Sequence, residues 1–117
     1  MRMPKNAERL RIFTGERDTH QGRALHEVIV ERARAAGLAG ATVLQGIMGF
    51  GANSRVHTTK ILRLSEDLPL LIEIVDAPEK IEAFLPELEE LIQEGLVTLE
   101  PVNVLCYRHS NGVEEVC

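Results

Sequence analysis

Aromatic residues make up only 3% of this 117-residue chain, with three Phe, one Tyr and no Trp. That scarcity excludes modules that stack successive bases on an aromatic surface. Positive charge is also in deficit. The formal net charge is -5, which argues against a general nucleic-acid binder. Cysteine is nearly absent. Cys106 and Cys117 are too few for a disulfide framework and have no metal-ligand spacing. Cys106 reads as a core position in a strand and Cys117 as an exposed terminal thiol. No apolar run reaches the roughly 18 residues of a membrane span, and the start, Met1 to Asn6, turns polar without an apolar signal core. The expectation is a soluble, cytoplasmic protein in a reducing setting, with no nucleic-acid partner and no direct membrane insertion.

What is present is unevenly placed. Through Arg63 the chain holds eleven Lys/Arg against five Asp/Glu, and beyond it two against thirteen. A basic front and an acidic back hide behind the average. Apolar residues make up 44%, enough for one core in a chain of this length. One domain is expected over 1–117, with an ordered core over 7–108.

Periodicity supplies the elements. Glu8 to Gly15 alternates as a strand, with Leu10 and Ile12 on one side and Arg9, Arg11 and Phe13 on the other. Asp18 or Thr19 can cap a helix carrying Leu25, Val28, Ile29, Arg32 and Ala33 at helical spacing, stopped by Gly37. Ala41 to Met48 reads as a second strand, largely apolar on both faces. A polar segment over 52–67 follows, with Ile61, Leu62 and Leu64 as a short strand inside it. Pro69 to Val75 is a third strand in which only Glu73 is polar, a pattern of burial on both faces. Asp76 and Glu79 form a capping box around Pro78. The helix they open carries Ile81, Phe84, Leu85, Leu88 and Leu91, with a kink or break expected near Glu82–Leu85 because of Pro86. Gly95 ends it. Leu96 to Tyr107 is a fourth strand, and Pro101 argues for an edge position or a bulge.

Strand, helix, strand, strand, helix, strand is the α+β, ferredoxin-like βαββαβ arrangement: a four-stranded antiparallel sheet with two helices on one face. Two helices cover only one sheet face, and an apolar second face left in water would be a large exposed patch. A homo-oligomer built through the open face is therefore expected.

The segment from Gly49 to Arg63 holds the densest candidate chemistry. A long irregular connection inside a small domain is usually functional or disordered. This one carries Arg55, His57, Lys60 and Arg63, with no Asp or Glu from Phe50 to Ser65. Gly49 and Gly51 around Phe50 allow close backbone approach, and successive N–H groups there can cradle an anion. A loop gripping an anionic small molecule and a solvated hairpin loop are both open on these features. Neither a dinucleotide fingerprint nor a P-loop is present. His57 is the best placed histidine, whereas His20, His26 and His109 read as surface residues. No nucleophile elbow, Ser-His-Asp set or paired carboxylates emerge, so a non-enzymatic protein without a cofactor is expected. The acidic stretch Glu87 to Glu94 reads as the wet face of a helix.

Gly46-Ile47-Met48-Gly49-Phe50-Gly51, His57, Leu64-Ser65-x-Asp67-Leu68-Pro69 and Glu73-Ile74-Val75-Asp76 together resemble a bacterial family, domain-of-unknown-function family 190, in the PII-like (nitrogen regulatory PII-like) superfamily. Gly15-Glu16 and Gly95-Leu96-Val97-Thr98 fit it too. The resemblance spans nearly the whole chain. It implies a PII-like homotrimer with sheets facing inward. It also implies that Gly49, Phe50 and Gly51 match the Gly-Phe-Gly where a PII strand enters the long T-loop, beside clefts that bind ATP or ADP between subunits. Arg55, His57 and Lys60 fall along the matching loop, and Arg108 lies near the basic residues of the PII fourth strand. The chain departs from PII in lacking a lysine in Glu94-Gly95-Leu96-Val97-Thr98 and in having no match to the tyrosine-bearing loop tip.

The implied function is signalling: an anionic ligand, such as an adenine nucleotide, binds Gly49, Phe50, Gly51, Arg55, His57, Lys60 and Arg108 between subunits. The 52–67 loop then controls a partner such as a membrane transporter. The alternatives are a divalent-metal-binding trimer of CutA-like type and a ligand-free assembly module.

Overall fold

The structure, a computed structural model, describes residues 3–51 and 67–108. Strand β1 (Asn6–Gly15) runs into a two-strand ribbon, β2 (Thr19–His20) and β3 (Arg23–Ala24), and then helix α1 (Leu25–Ala35). Strands β4 (Thr42–Gln45) and β5 (Pro69–Asp76), helix α2 (Pro78–Leu91) and strand β6 (Leu96–Asn103) complete the order. The four long strands form one sheet in the order β4-β5-β1-β6, and every pair is antiparallel. This is the ferredoxin-like arrangement that the element order implied.

Alternation along β1 and β5 puts Leu10, Ile12, Ile72 and Ile74 against the helices, all of them buried. Val28, Ile29 and Ala33 of α1 and Ile81, Phe84, Leu88 and Leu91 of α2 close the same core. Each such aliphatic or aromatic side chain gains about 1.5–3 kcal/mol from full burial. Between the helices, Arg32 Nη1 lies 3.5 Å from Glu87 Oε1, a half-exposed pair worth little by itself.

Three terminus assignments from the sequence are corrected. Asp18 and Thr19 do not cap α1, because the chain first makes the β2–β3 ribbon. Gln21 (φ 51°) and Gly22 (φ 81°) both adopt the left-handed region there, which suits a two-residue hairpin turn. Asp18 instead accepts the Gly15 N–H through Oδ2 at 2.9 Å. Asp76 does not cap α2. It ends β5 buried, with Oδ1 accepting the Ala77 N–H (2.7 Å) and Oδ2 the Ala39 N–H (2.8 Å). It thus ties the start of α2 to the α1–β4 connection. Gly95 does not end α2, which stops at Leu91. Gly95 opens β6 at φ +150°, where a methyl group would lie 2.7 Å from the Phe13 carbonyl oxygen.

Two other expectations about the termini and edges hold, and three do not. Gly37 at φ +80° ends α1: its N–H reaches Arg34 O and that of Leu38 reaches Ala33 O, the paired bonds of a Schellman motif. Pro101 sits in β6, an edge strand. The break expected near Glu82–Leu85 is corrected: helix α2 runs as one element, Pro78–Leu91, across Pro86. Strand β4 is shorter than predicted, four residues against eight. The expected strand at Ile61, Leu62 and Leu64 lies outside the described residues. Cys106 lies beyond β6, exposed and disulfide-bonded rather than in a strand core.

Candidate functional site

The open face of the sheet is ordered in rows, and of the two that span all four strands only one is apolar. Cross-strand pairing places Leu44, Leu71, Phe13 and Leu96 side by side across all four strands. The next row is Thr42, Glu73, Arg11 and Thr98, and Val75, Arg9 and Glu100 follow. The two arginines and two glutamates neutralise one another. Arg11 Nε meets Glu73 Oε2 at 2.9 Å and Arg11 Nη1 lies 3.9 Å from Glu100 Oε1, while Arg9 donates through Nε (3.0 Å) and Nη2 to the same oxygen. The Arg9 hydrogen bond, aided by the charges of Arg9 and Arg11, holds the Glu100 carboxyl below its usual range against the opposing effect of desolvation. The expectation of an open face apolar throughout is thereby narrowed to the row nearest the Gly15 end.

That row adjoins the root of the long loop. After Gln45 the last ladder bond is Gly46 N–H to Pro69 O, 2.8 Å. A methyl group at Gly46 would lie 2.8 Å from Pro69 Cγ, and one at Gly49 3.0 Å from the same atom. Gly46 and Gly49 are thus required by space, so that the departing chain can fold closely over Pro69. Ile47, Met48 and Phe50 are then turned outward, at 86%, 58% and 72% exposure. Phe50 is the most exposed aromatic side chain among the described residues, and it stands between Gly49 and Gly51.

The returning end of the loop is latched to the first turn. Leu68 O accepts the Glu16 N–H at 2.8 Å, and Asp67 Oδ1 accepts the Arg17 N–H at 2.8 Å. The Asp67 carboxylate occupies the space a side chain at Gly15 would need, with Oδ2 2.7 Å from the missing methyl position. Gln45 Nε2 donates to Glu16 Oε2 across the same end. Gly15-Glu16 and Asp67 are therefore structural members of the loop root. Both lie in stretches that carry the family resemblance, Gly15-Glu16 and Leu64-Ser65-x-Asp67-Leu68-Pro69.

Among the described residues, the predicted site residues do not gather in one chain. Gly49, Phe50 and Gly51 stand together at the loop root. Arg55, His57 and Lys60 lie outside the described residues. Arg108 lies toward the opposite end of the sheet. Val104 N–H still bonds Lys5 O there (2.8 Å), ten positions along β1 from Gly15, or roughly 33 Å. Four residues of extended chain reach at most about 14 Å, which leaves about 19 Å along the strand axis between Arg108 and the loop root. His20 and His26 are partly buried rather than exposed, and His109 lies outside the described residues. Among the described residues no group of three or more His, Cys, Asp or Glu could hold a metal, and no helix is long and apolar enough to cross a membrane.

Residues 7–104 match the sequence model of DUF190, described as "Uncharacterized ACR, COG1993". The chain belongs to the DUF190 family. A UPF0166 protein of Aquifex aeolicus (strain VF5) is 41% identical over 96 residues, covering 82% of this chain and 90% of that one. A UPF0166 protein of Methanocaldococcus jannaschii is 37% identical over 99 residues, covering 84% and 91%. Among solved structures, CPII from Thiomonas intermedia K12, bound to ADP and bicarbonate, aligns with TM-score 0.55 at 20% identity, covering 85% of this chain and 88% of that one. A candidate PII-like signalling protein from Thermus thermophilus aligns at 0.53 and 17% identity, covering 89% and 91%. The DUF190 chain thus has the PII-like fold that its motifs implied.

Proposed function

We propose that this DUF190 protein is a non-enzymatic, PII-like regulator that binds an anionic small molecule, an adenine nucleotide, in clefts between copies of the chain. Gly49, Phe50 and Gly51 form the cleft floor, and Arg55, His57 and Lys60 supply cationic donors to phosphate. Arg108 comes from the neighbouring copy. The observation that carries this reading is the separation just described: the loop root and Arg108 stand at opposite ends of one sheet, so a site using both needs a second subunit. The apolar row Leu44, Leu71, Phe13 and Leu96 offers the contact face, and we take the assembly to be a homotrimer. The binding of ADP by CPII, a protein of the same fold, supports the choice of ligand.

Ligand binding orders Ala52 to Lys60, which then contact a partner such as a membrane transporter. A ligand with higher affinity for the ordered state shifts the population toward it. The test is a thermal-shift panel of ATP, ADP, AMP and inorganic phosphate on the purified protein. Stabilisation by a nucleotide, lost in Gly51→Val and Arg55→Ala, supports the reading. A panel without any shift refutes the nucleotide assignment.

A further inference from the structure

Four long charged side chains stand on the open face beside the apolar row, and the proposed ligand site uses none of them. The strand register sets Arg11 opposite Glu73 and Arg9 opposite Glu100. Arg11 Nε reaches Glu73 Oε2 at 2.9 Å, and Arg9 Nε reaches Glu100 Oε1 at 3.0 Å. Arg11 Nη1, 3.9 Å from Glu100 Oε1, joins the two pairs into one network. Two positive and two negative charges cancel, so the cluster has no net attraction for a polyanion or a polycation. The Arg9 hydrogen bond keeps the Glu100 carboxyl below its usual range, so it is ionised at neutral pH. With side chains 29–46% exposed, such pairs contribute little by themselves.

Covering the apolar row changes that balance. Phe13 and Leu71 stand two residues along their strands from Arg11 and Glu73, about 7 Å away. A partner seated on the apolar row therefore also takes water from the charged rows. Charges removed from water cost more than their own pairing returns, unless their remaining polar atoms find partners. The bonds fall on one oxygen of each carboxylate, Glu73 Oε2 and Glu100 Oε1. A carboxylate accepts through both oxygens, and a guanidinium donates through all of its N–H groups. The covering surface must thus carry an apolar strip beside balanced carboxylate and guanidinium groups, and a second copy of this chain carries both. We propose that Arg9, Arg11, Glu73 and Glu100 form a self-complementary charge lock, in which arginines of one copy pair with glutamates of the next and chains of unmatched charge are excluded. The lock rests on the reading that copies meet through the open face; it adds which chains are accepted there.

The test coexpresses full-length chains carrying two different affinity tags, captures one tag and measures how much of the other is retained. The variant is the full swap, Arg9→Glu, Arg11→Glu, Glu73→Arg and Glu100→Arg, which keeps every pairing within the chain with inverted sign. Native with native and swap with swap are expected to be retained alike. Native with swap is expected to be retained at least about tenfold less, because like charges then face each other. If circular dichroism shows the full swap to be unfolded, Arg11→Glu/Glu73→Arg is taken through the same three pairings. Equal retention in all three overturns the lock, since the charges then act only within each chain, and leaves assembly through the apolar row standing. Loss of pairing between folded swap chains overturns it as well. No retention of native by native overturns the lock together with the assembly reading.

Discussion

A methyl group added at Gly15 would strike the Asp67 carboxylate, 2.7 Å from Oδ2 and 2.8 Å from Oδ1. Gly15→Ala therefore acts through a residue 52 positions away. Gly15 has no positive φ, so alanine is tolerated by the backbone there. The clash is relieved by moving the carboxylate, which breaks its bond to the Arg17 N–H. A hydrogen bond to a charged acceptor is worth about 1.5–3 kcal/mol. Solvent exposure of this one moves the expected loss to about 1–1.5 kcal/mol. For a chain of this length that lowers Tm by about 3–8 °C. The decisive assay is a double-mutant cycle with Asp67→Ala, read by thermal and urea unfolding. Gly15→Ala should be destabilising in the native background and close to neutral once Asp67 is alanine. An equal loss in both backgrounds would refute the latch. If the latch also sets the loop root, Asp67→Ala should weaken nucleotide binding without changing the sheet.

Replacing Leu44 and Leu96 together by Glu should disperse the assembly, and light scattering should then report a particle near the chain mass of 13.0 kDa. An unchanged mass would show that the apolar row is not the contact face. Asp76→Ala removes the acceptor of one buried N–H, that of Ala77, and one part-buried N–H, that of Ala39, and should destabilise by about 2–4 kcal/mol in urea unfolding. A loss below half of that would contradict the cross-link. The Glu100 carboxyl titrates below its usual range in the folded protein, first because of the Arg9 hydrogen bond. Its contribution is thus present above the unfolded-state pKa and is lost as pH falls through the lower, folded one. Stability should drop through this acidic window, and Glu100→Gln should flatten that part of the profile; an unchanged slope would argue against the Arg9–Glu100 pairing.

Much of the fold was readable because two signals agreed at each central element. Alternation marked β1 and β5, and the helical stripes of α1 and α2 matched the faces they bury. The misreadings cluster at termini. Asp18 and Asp76 both carry the side chain that caps a helix, yet each satisfies other N–H groups, and local sequence does not say which donor comes near. The Gln21-Gly22 turn was missed because glutamine is not a usual left-handed residue. Gly95 looked like a helix stop, but its reason lies with Phe13, 82 positions earlier. Glu73 was read only as the one polar residue of a strand buried on both faces; its Arg11 partner, and with it the polarity of the open face, became visible only with the strand register. The Gly49-Phe50-Gly51 turn was legible as a motif. Its spatial reason, the crossing over Pro69, was not. Nor was the separation of Arg108 from the loop root, which depends on the direction of β6.

The central claim is that an anionic nucleotide binds where copies of this chain meet. Calorimetric titration of ADP into the purified native assembly tests it most directly. The account predicts saturable binding at one ADP per chain, abolished both by Gly51→Val and by the Leu44→Glu/Leu96→Glu pair that separates the copies. Absence of binding to the intact assembly, or undiminished binding to the dispersed chain, would contradict it.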